Sequence, residues 1–353
     1  MPSRYDLSRH ELAALLADQP GYRVDQVWDG LHRRAAGPEE LTDLPKALRA
    51  RLAAELPPAL RPVADHTSDA GDTRKWLWEL QDGVRIETVL MLYSASRSDG
   101  RSGRERATVC VSTQAGCAMG CGFCATGQAG FDRNLSVGEI VEQVIEAVRA
   151  ARPRRLSNVV FMGMGEPLAN YDRTWGAVER MHDDLGLSAR HLTLSTVGVV
   201  PGIRRLAREA LPVNLAVSLH AADDTLRDEL VPINKRYPLG MLTAACEEYL
   251  AAKGRRLSFE WALIDGVNDR RSDASQLSRI ALPLRAHVNL IPLNPTPGWP
   301  TKGTPPEGVR RFRDLLVDLG VNATVRRNRG TDIAAACGQL RADTSVAISA
   351  PSR

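Results

Sequence analysis

The amino-acid sequence predicts an α/β fold: a partial (βα)6 barrel with a small N-terminal helical module and a β-hairpin. From residue 107 onward, six strand-like segments alternate with helical segments, and this pattern favours a parallel sheet with right-handed crossovers. Before residue 95, helical periodicity gives way to two strand-like runs around one tight turn. A doubly wound open sheet has the same alternation of strands and helices and is the alternative.

Residues 1–60 have the pattern of short helices. Ser8 and Glu11 have the spacing of a capping box, in which each side chain bonds the other residue's backbone N–H. The runs VDQVWDGLHRR and ELTDLPKALRARLAAEL continue the helical periodicity. We therefore expect a small helical module at the N-terminus.

A β-hairpin is predicted next, over residues 73–93. Two runs rich in β-branched and aromatic residues flank Asp82-Gly83, a pair that favours the tight turn of a hairpin. We expect the helices and the hairpin to form an accessory module over residues 1–95. The Gly/Ser-rich stretch 96–106 is typical of a loop or linker.

The predicted barrel core follows, over residues 96–342, with a short tail at 343–353. Its strand candidates are ATVCVST, NVVFMGMGE, HLTLSTVG, VNLAVSLHA, LSFEWALIDG and HVNLIPLNP. Helical candidates between and after them include SVGEIVEQVIEAVRA, TWGAVERMHDDLG, LGMLTAACEEYLAAKG, ASQLSRIALPL and EGVRRFRDLLVDLG. The last helix is followed by a short strand-like run, TVRRNRG.

Composition limits the classes of protein that the chain can be. With 43% apolar and 25% charged residues over 353 positions, the chain has the composition of a globular protein. No apolar run approaches the roughly 20 residues that span a bilayer, and the first residues lack the apolar core of a signal peptide. The sequence thus predicts a cytoplasmic protein without a membrane partner.

The basic residues permit a nucleic-acid partner without demonstrating one. Only five of the 46 basic residues are lysines, and the net charge is +4. The planar fork of arginine suits phosphate contacts and base stacking. Arginine enrichment throughout a GC-rich genome is the plainer alternative.

Three of the six cysteines, Cys117, Cys121 and Cys124, lie within eight residues, directly after the first barrel strand. A structural zinc site normally has four protein ligands. Three thiolates on a [4Fe-4S] cluster leave one iron open, which is how radical S-adenosylmethionine (SAM) enzymes bind and cleave their cofactor. The C-x3-C-x2-C spacing therefore predicts a [4Fe-4S] cluster and SAM. A zinc knuckle with a distant fourth ligand is the alternative.

Polar and glycine residues follow the later strands at the edge where a barrel places its site. In the run Gly163-Met164-Gly165-Glu166-Pro167 the glycines allow close approach of a ligand, and Glu166 can accept a hydrogen bond from the SAM ammonium group. Taken together, the strand-end residues predict one pocket. The residues expected to bind the cofactor are Gly165, Glu166, Ser195, Ser218, Leu219, His220 and Asn294.

The chain resembles the RlmN/Cfr family of radical SAM RNA methyltransferases from about residue 20 to residue 342. The runs that carry the resemblance are, in order, RIETV, TVCVSTQAGCAMGCGFCATG, FMGMGEPLAN, LSTVGVVP, LAVSLHA, NLIPLNPTPG and DIAAACGQL. It implies a radical SAM barrel and methylation of an adenine in 23S ribosomal RNA and in transfer RNA. It also implies a flavodoxin-type electron donor, and no DNA substrate.

The resemblance further implies roles for Cys337, Cys110 and Glu87. Cys337 would take a methyl group from one SAM, and a radical from a second SAM would remove a hydrogen from that S-methyl group. After the carbon adds to the base, Cys110 would attack the Cys337 sulfur and leave a disulfide. Glu87 matches the family's proton acceptor. By themselves, Cys110 reads as a core cysteine and Glu87 as a solvated strand carboxylate.

Alternatives remain within and outside the family. Some members of the family methylate carbon 2 of adenine, and others methylate carbon 8, which is an antibiotic-resistance activity. At Pro167 and Pro292 this chain resembles the carbon-2 type. A radical SAM activase or mutase would have no use for the Cys110–Cys337 pair, and a zinc- or cluster-stabilised RNA-binding protein would not cleave SAM. The candidate RNA contacts, whose alternative is a solvated helix face, are Arg101, Arg104, Arg106, Arg152, Arg154, Arg155, Arg204, Arg205, Arg326, Arg327 and Arg329.

Overall fold

The computed structural model describes residues 3–94, 105–296, 298–326 and 328–342. The strands in these ranges are β1 (Arg61–Ser68), β2 (Thr73–Glu79), β3 (Arg85–Tyr93), β4 (Arg106–Cys110), β5 (Gln114–Gly116), β6 (Phe131–Asn134), β7 (Leu156–Phe161), β8 (Leu192–Thr196), β9 (Asn214–Ser218), β10 (Leu257–Leu263), β11 (His287–Pro292) and β12 (Ala323–Val325). The α-helices are α1 (Arg9–Leu15), α2 (Tyr22–His32), α3 (Lys46–Glu55), α4 (Ala125–Ala129), α5 (Val137–Ala151), α6 (Tyr171–Asp183), α7 (Val200–Arg208), α8 (Asp224–Leu230), α9 (Leu239–Lys253), α10 (Arg271–Ala281) and α11 (Pro306–Asp318).

Ten strands form one mixed sheet, in the order β1-β2-β3-β4-β7-β8-β9-β10-β11-β12. Neighbouring strands from β4 to β12 are parallel, and at least one helix connects each of them to the next. The six predicted barrel strands are all present, and β12 adds a seventh parallel strand at the start of the run TVRRNRG. The predicted α/β class with a parallel sheet is confirmed.

The predicted hairpin is also present, but it is part of this sheet, between β1 and β4. β2 and β3 pair antiparallel, and Gly83 in the turn between them has a φ of 84°. β3 pairs antiparallel with β4, so the hairpin continues the barrel sheet. The sequence analysis missed β1, because its residues, RPVADHTS, are mostly polar and include Pro62, which a strand tolerates at an edge.

The N-terminal helices share one continuous apolar core with the barrel, which includes Tyr5, Leu12 and Val27. The predicted capping box at Ser8 is formed at the start of α1. The Trp28 indole donates a hydrogen bond of 2.9 Å to Asp184, just after α6. The helical module is therefore packed directly against the outer helices of the barrel.

Two predicted segments cannot be compared with the structure. Residues 96–104 of the predicted linker (96–106) and the predicted tail (343–353) lie outside the described residues. The division of the chain into modules at residue 95 therefore stays a prediction. Within the described ranges, no helix combines the length and the apolar character needed to cross a membrane.

Candidate active site

A cavity of about 1000 Å³, open to solvent, lies at the carboxyl ends of the parallel strands. The predicted residues that line it are Cys117, Cys121, Cys124, Gly165, Glu166, Ser195, Ser218, His220, Asn294 and Cys337. Three other predicted residues, Leu219, Cys110 and Glu87, are not among the lining residues. The structure therefore brings most of the predicted strand-end residues, the three clustered cysteines and Cys337 to one cavity.

The cysteine loop, residues 117–124, follows β5, and β5 pairs with β6 in a small antiparallel sheet at the base of the loop. The Cys117 N–H donates to the Gly130 carbonyl at 2.6 Å, and a Cβ at Gly116 would lie 2.1 Å from the same oxygen. Gly116 has a φ of 74°, which also favours glycine. Glycine is thus required at 116 so that the two strands can approach and present the cysteines.

The three thiols of this loop all line the cavity. Cys121 is buried, whereas Cys117 and Cys124 are half-buried. Burial, together with the neighbouring Cys124, raises the pKa of Cys117 to about 12. Among the described residues, no three Cys, His, Asp or Glu side chains converge as they would on one metal ion. Three thiols that line one cavity form a donor set of the kind that iron–sulfur clusters use, and the zinc knuckle stays the alternative.

Apolar side chains surround the cysteine loop. A second apolar cluster contains Cys121, Phe123 and Ile264, with Trp299 packed against it. A Cβ at Gly122 would lie 2.4 Å from the Trp299 ring, so glycine is needed there for the indole to cover the loop. Such packing limits the access of water to a metal group in this position.

The glycines after β7 are explained by backbone packing as well as by the cavity. A Cβ at Gly163 would lie 2.6 Å from the Val111 carbonyl, and one at Gly165 would lie 2.5 Å from the Gln114 side chain. Gly165 also has a φ of 100°. The sequence analysis assigned these glycines to close approach of a ligand, whereas the structure shows close approach of the chain that follows β4.

The Glu166 carboxylate joins the loops after β7 and β8. Its two oxygens accept hydrogen bonds from the backbone N–H groups of Leu168 at 3.0 Å and Val197 at 2.8 Å. Burial raises the pKa of Glu166 to about 7, against the opposing effect of these two amides. The carboxylate is thus held in a fixed position in the cavity wall, and its contact with SAM stays a prediction.

His220 lines the cavity as a neutral imidazole. Its Nδ1 accepts a hydrogen bond from the Ala262 N–H at 3.0 Å, so the ring proton is on Nε2. Burial, together with the positive charge of Arg227, lowers the pKa of His220 to about 3. The adjacent Leu219 has a fully buried side chain, and its N–H donates to the Glu260 carbonyl. Leu219 therefore packs behind the cavity wall and does not face the cavity.

The sequence analysis missed Arg227, which is fully buried beneath the loops that follow β8 and β9. Its guanidinium donates to the backbone carbonyls of Val197 at 2.6 Å and Leu219 at 3.0 Å. Burial lowers its pKa to about 10. No sequence signal marks it, because a charged residue in the helical run DTLRDEL is normally exposed.

Cys337 belongs to the C-terminal segment, defined here as residues 330–342. The Asn294 amide donates to the Cys337 carbonyl at 3.0 Å and accepts from Asn328 at 2.7 Å. On the other side, the Ala125 N–H donates to the Gly338 carbonyl at 2.8 Å. The segment is therefore held between the cysteine loop and the end of β11. The predicted contact of Asn294 with SAM stays a prediction.

Cys110 lies at the end of β4 and is buried near Cys337. Burial, followed by the charge of Cys337, raises the pKa of Cys110 to about 12, and Arg326 opposes the shift. Arg326 lines the cavity, and its own pKa is raised, first of all by Cys337. The sequence analysis grouped Arg326 with surface RNA contacts, whereas the structure places it beside the two cysteines.

Glu87 is buried on β3 and paired with Lys75, at 2.7 Å between Nζ and Oε1. Its Oε2 accepts a hydrogen bond from the Arg341 N–H at 2.9 Å. The plain interpretation of a solvated strand carboxylate is therefore wrong. The family's role for Glu87 as proton acceptor stays a prediction.

Several candidate RNA contacts already have partners within the chain. Arg204 pairs with Glu248 at 3.1 Å and Arg205 with Asp172 at 2.6 Å. These pairs favour the alternative of a solvated helix face for that cluster. Arg152 donates a hydrogen bond to the Arg34 carbonyl, and Arg154 lies near the carboxylates of Asp72 and Glu105. The guanidinium groups of Arg106 and Arg329 stack on the Tyr93 ring. Arg101, Arg104 and Arg327 lie outside the described residues.

Comparisons with known proteins agree with this site. Residues 111–276 match the model of the radical SAM superfamily. A protein of Parafrankia sp. (strain EAN1pec) is 53% identical, over 97% of this chain and 92% of its own length. One of Chloroflexus aurantiacus is 50% identical, over 98% and 94%. Both are named "Probable dual-specificity RNA methyltransferase RlmN". The crystal structure of a radical SAM methyltransferase from Sphaerobacter thermophilus is 50% identical and superposes with a TM-score of 0.91, over 97% of this chain and all of that one.

Proposed function

The chain belongs to the RlmN family of radical SAM RNA methyltransferases, and on this premise we propose that it methylates carbon 2 of adenine in RNA. The proposed substrates are an adenine of 23S ribosomal RNA in the peptidyl-transferase centre and an adenine of the transfer RNA anticodon loop. One observation carries the proposal: Cys337 lines the same cavity as Cys117, Cys121 and Cys124. A radical SAM enzyme that only activates a partner has no use for that fourth cysteine.

The proposed cofactors are a [4Fe-4S] cluster, held by Cys117, Cys121 and Cys124, and SAM. Once bound and reduced, this cluster supplies the electron that cleaves SAM to a radical. Glu166 and His220 offer an acceptor and a donor in the cavity wall, and Gly165 leaves that wall without a side chain. Trp299 and Phe123 exclude water from the cysteine loop.

Cys337 is the proposed methyl carrier, with Cys110 as the thiol that releases the product. Carbon 2 of adenine is electron-poor, so polar methyl transfer from SAM is mismatched, and a carbon carried on a cysteine sulfur offers a radical route. The positive charge of Arg326 lies near the sulfur of Cys337. The pKa of about 12 keeps Cys110 protonated at neutral pH, so this thiol must give up its proton as it attacks the Cys337 sulfur. Glu87 is the proposed proton acceptor.

The RNA base must leave its stack to enter a cavity at the barrel edge. Adenines in loops meet this requirement at lower cost than paired ones. We further propose a flavodoxin-type system as electron donor and the cytoplasm as the compartment, with no membrane or DNA partner.

The proposal is tested in a bacterial host that lacks its own carbon-2 enzyme. The chain is expressed there, ribosomal and transfer RNA are digested separately, and methyladenosines are identified by mass spectrometry against standards. We expect 2-methyladenosine in both pools, and none in either pool with Cys337→Ala. Cys246→Ala is the matched control, because Cys246 is buried in α9, away from the cavity.

Other products would change the assignment. 8-Methyladenosine would replace carbon 2 by the resistance-type activity, and 2-methyladenosine in ribosomal RNA alone would narrow the substrates. In the same cells, peptide mass spectrometry should find S-methylcysteine at residue 337. A Cys337 that stays unmethylated under every reducing, SAM-replete condition would contradict the two-SAM mechanism.

A further inference from the structure

We propose that Lys75 is a positioning residue, which fixes the C-terminal segment and its Cys337 through a buried ion pair with Glu87. What the segment does rests on the proposed function, but the contacts that hold it do not. Lys75 lies on β2, in a part of the sheet that contributes no residue to the cavity lining.

The ion pair lies on the sheet face that also carries Cys110. In the pairing register, Lys75 faces Val89, Leu77 faces Glu87, and Val89 faces Cys110. Because alternate residues of a strand share a face, Lys75, Glu87 and Cys110 project to the same side. The Lys75 and Glu87 side chains are only 3% and 2% exposed. A pair this deeply buried needs further hydrogen bonds to offset the loss of hydration of both charges.

The C-terminal segment provides those hydrogen bonds, on both sides of Cys337. The Lys75 ammonium donates to the Ala334 carbonyl at 3.4 Å. Glu87 Oε2 accepts from the N–H groups of Arg341 at 2.9 Å and Ala342 at 3.3 Å. The cation therefore holds the chain three residues before the reactive cysteine, and the anion holds it four and five residues after.

The backbone at these contacts needs to be held. Ala334 and Ala342 have φ angles of 51° and 59°, in the left-handed region that alanine rarely adopts. Asp69, just after β1, adds a third anchor, because its carboxylate accepts a hydrogen bond from the Gly330 N–H at 3.1 Å. Residues of β2, β3 and the β1–β2 turn thus form a receptor for the segment.

The first test replaces the ammonium by an apolar chain of similar length, Lys75→Met, in the holoenzyme. We expect hydrogen exchange to accelerate about tenfold or more at the amides of residues 330–342, with α5 and β7 unchanged. We expect kcat to fall by a similar factor and KM for RNA to stay within about twofold, because Lys75 is buried and offers no surface to the RNA. S-methylation of Cys337 should fall as well.

Arg74→Met is the matched control. Arg74 is the preceding residue on β2 and pairs with Asp65 on the other face, with both side chains about 40% exposed. It should leave exchange, kcat and methylation unchanged. If Lys75→Met behaves like Arg74→Met, or if it speeds exchange uniformly over the whole chain, the positioning role is wrong.

Lys75→Met leaves Glu87 buried without its partner and can prevent folding, so a second variant acts at a distant anchor. Asp69→Gly removes the carboxylate that accepts from the Gly330 N–H and the Thr73 hydroxyl, and glycine fits the φ of 52° at this position. We expect it to speed exchange at Gly330 and neighbouring amides and to lower kcat. If Lys75→Met does not fold, wild-type exchange and kcat in Asp69→Gly would show that these contacts do not position the C-terminal segment. A wild-type protein that makes no methyladenosine would contradict the proposed function. The exchange data would still test whether Lys75 positions the C-terminal segment.

Discussion

At the scale of single residues, burial sets the charge of the groups around the cavity. Glu166 is held by two backbone amides, yet burial raises its pKa to about 7. Its carboxylate form is therefore available only at neutral pH and above. A carboxylate in this position suits the amino group of SAM, which gives it a hydrogen-bond donor in exchange for lost hydration.

We expect Glu166→Gln to weaken SAM binding by about tenfold or more at pH 8. An amide has one acceptor oxygen in place of two, so its NH2 group would face the N–H of either Leu168 or Val197. In the wild type, SAM affinity should fall as the pH drops below about 7, because the carboxyl is then protonated, whereas the variant should lack this step. Equilibrium binding of SAM to the holoenzyme between pH 6 and 8.5 measures both effects.

Asp172→Asn is the control for that measurement. The Asp172 side chain is 80% exposed and pairs with Arg205 on the outer surface. It should bind SAM as the wild type does at every pH. A Glu166→Gln protein with wild-type affinity at pH 8 would remove Glu166 from the cofactor site.

At the scale of elements, one buried carboxylate joins the N-terminal module to α5. Glu142 on α5 accepts a hydrogen bond from the Ala59 N–H at 2.8 Å. Burial raises its pKa to about 8, and Arg4, Glu146 and Asp6 are the charged groups around it. The hydrogen bond from Ala59 favours the carboxylate, but burial outweighs it, so folding holds a proton on Glu142 and stability depends on pH.

Glu142→Gln should remove this pH dependence while keeping an acceptor for Ala59. Below pH about 4.5 the carboxyl is neutral in both folded and unfolded chains. Between that value and pH 8 the unfolded chain is ionised while the folded one stays protonated, so the free energy of unfolding falls as the pH rises. Urea unfolding should show the variant gaining about 2 kcal/mol on the wild type between pH 6 and 8.5. Glu247→Gln, at an exposed position of α9, should gain nothing, and an equally flat result for Glu142→Gln would contradict its raised pKa.

At the scale of the whole molecule, the sequence predicts what depends on periodicity and on motif spacing. The barrel strands alternate with amphipathic helices, and their carboxyl ends share one edge, so the cavity residues from Cys117 to Asn294 are predictable. β1 was missed because an edge strand of polar residues has no apolar alternation. Arg227 and Lys75 were missed because a buried charge looks like a surface charge in one sequence. Docking of the C-terminal segment on β2 and β3 was not predictable either, because it uses mostly backbone N–H and carbonyl groups.

Ending the chain at residue 330 should separate the reductive cleavage of SAM from the methylation of RNA. The removed part includes Cys337, and in its described range, residues 331–342, the buried apolar side chains are those of Ile333, Ala336 and Leu340. At about 1.5–3 kcal/mol for each of the two larger ones, the loss is only a few kcal/mol, so we expect a folded protein whose melting temperature is lower by several degrees. The cysteine loop and the strand-end residues remain, so reductive cleavage of SAM should persist while RNA methylation is lost.

Cys337→Ala in the full chain separates the missing sulfur from the missing segment. It should abolish RNA methylation without the drop in melting temperature, and it should cleave SAM at a rate at least equal to that of the truncated chain. The Ala125 N–H and the Thr126 hydroxyl, both on α4, donate hydrogen bonds to the carbonyls of Gly338 and Leu340. Through these bonds the C-terminal segment also stabilises the cysteine loop. A truncated chain without helical signal in circular dichroism would mean that residues 331–353 belong to the folding core. A truncated chain that cleaves SAM faster than Cys337→Ala would mean that the segment restrains the loop and does not support it.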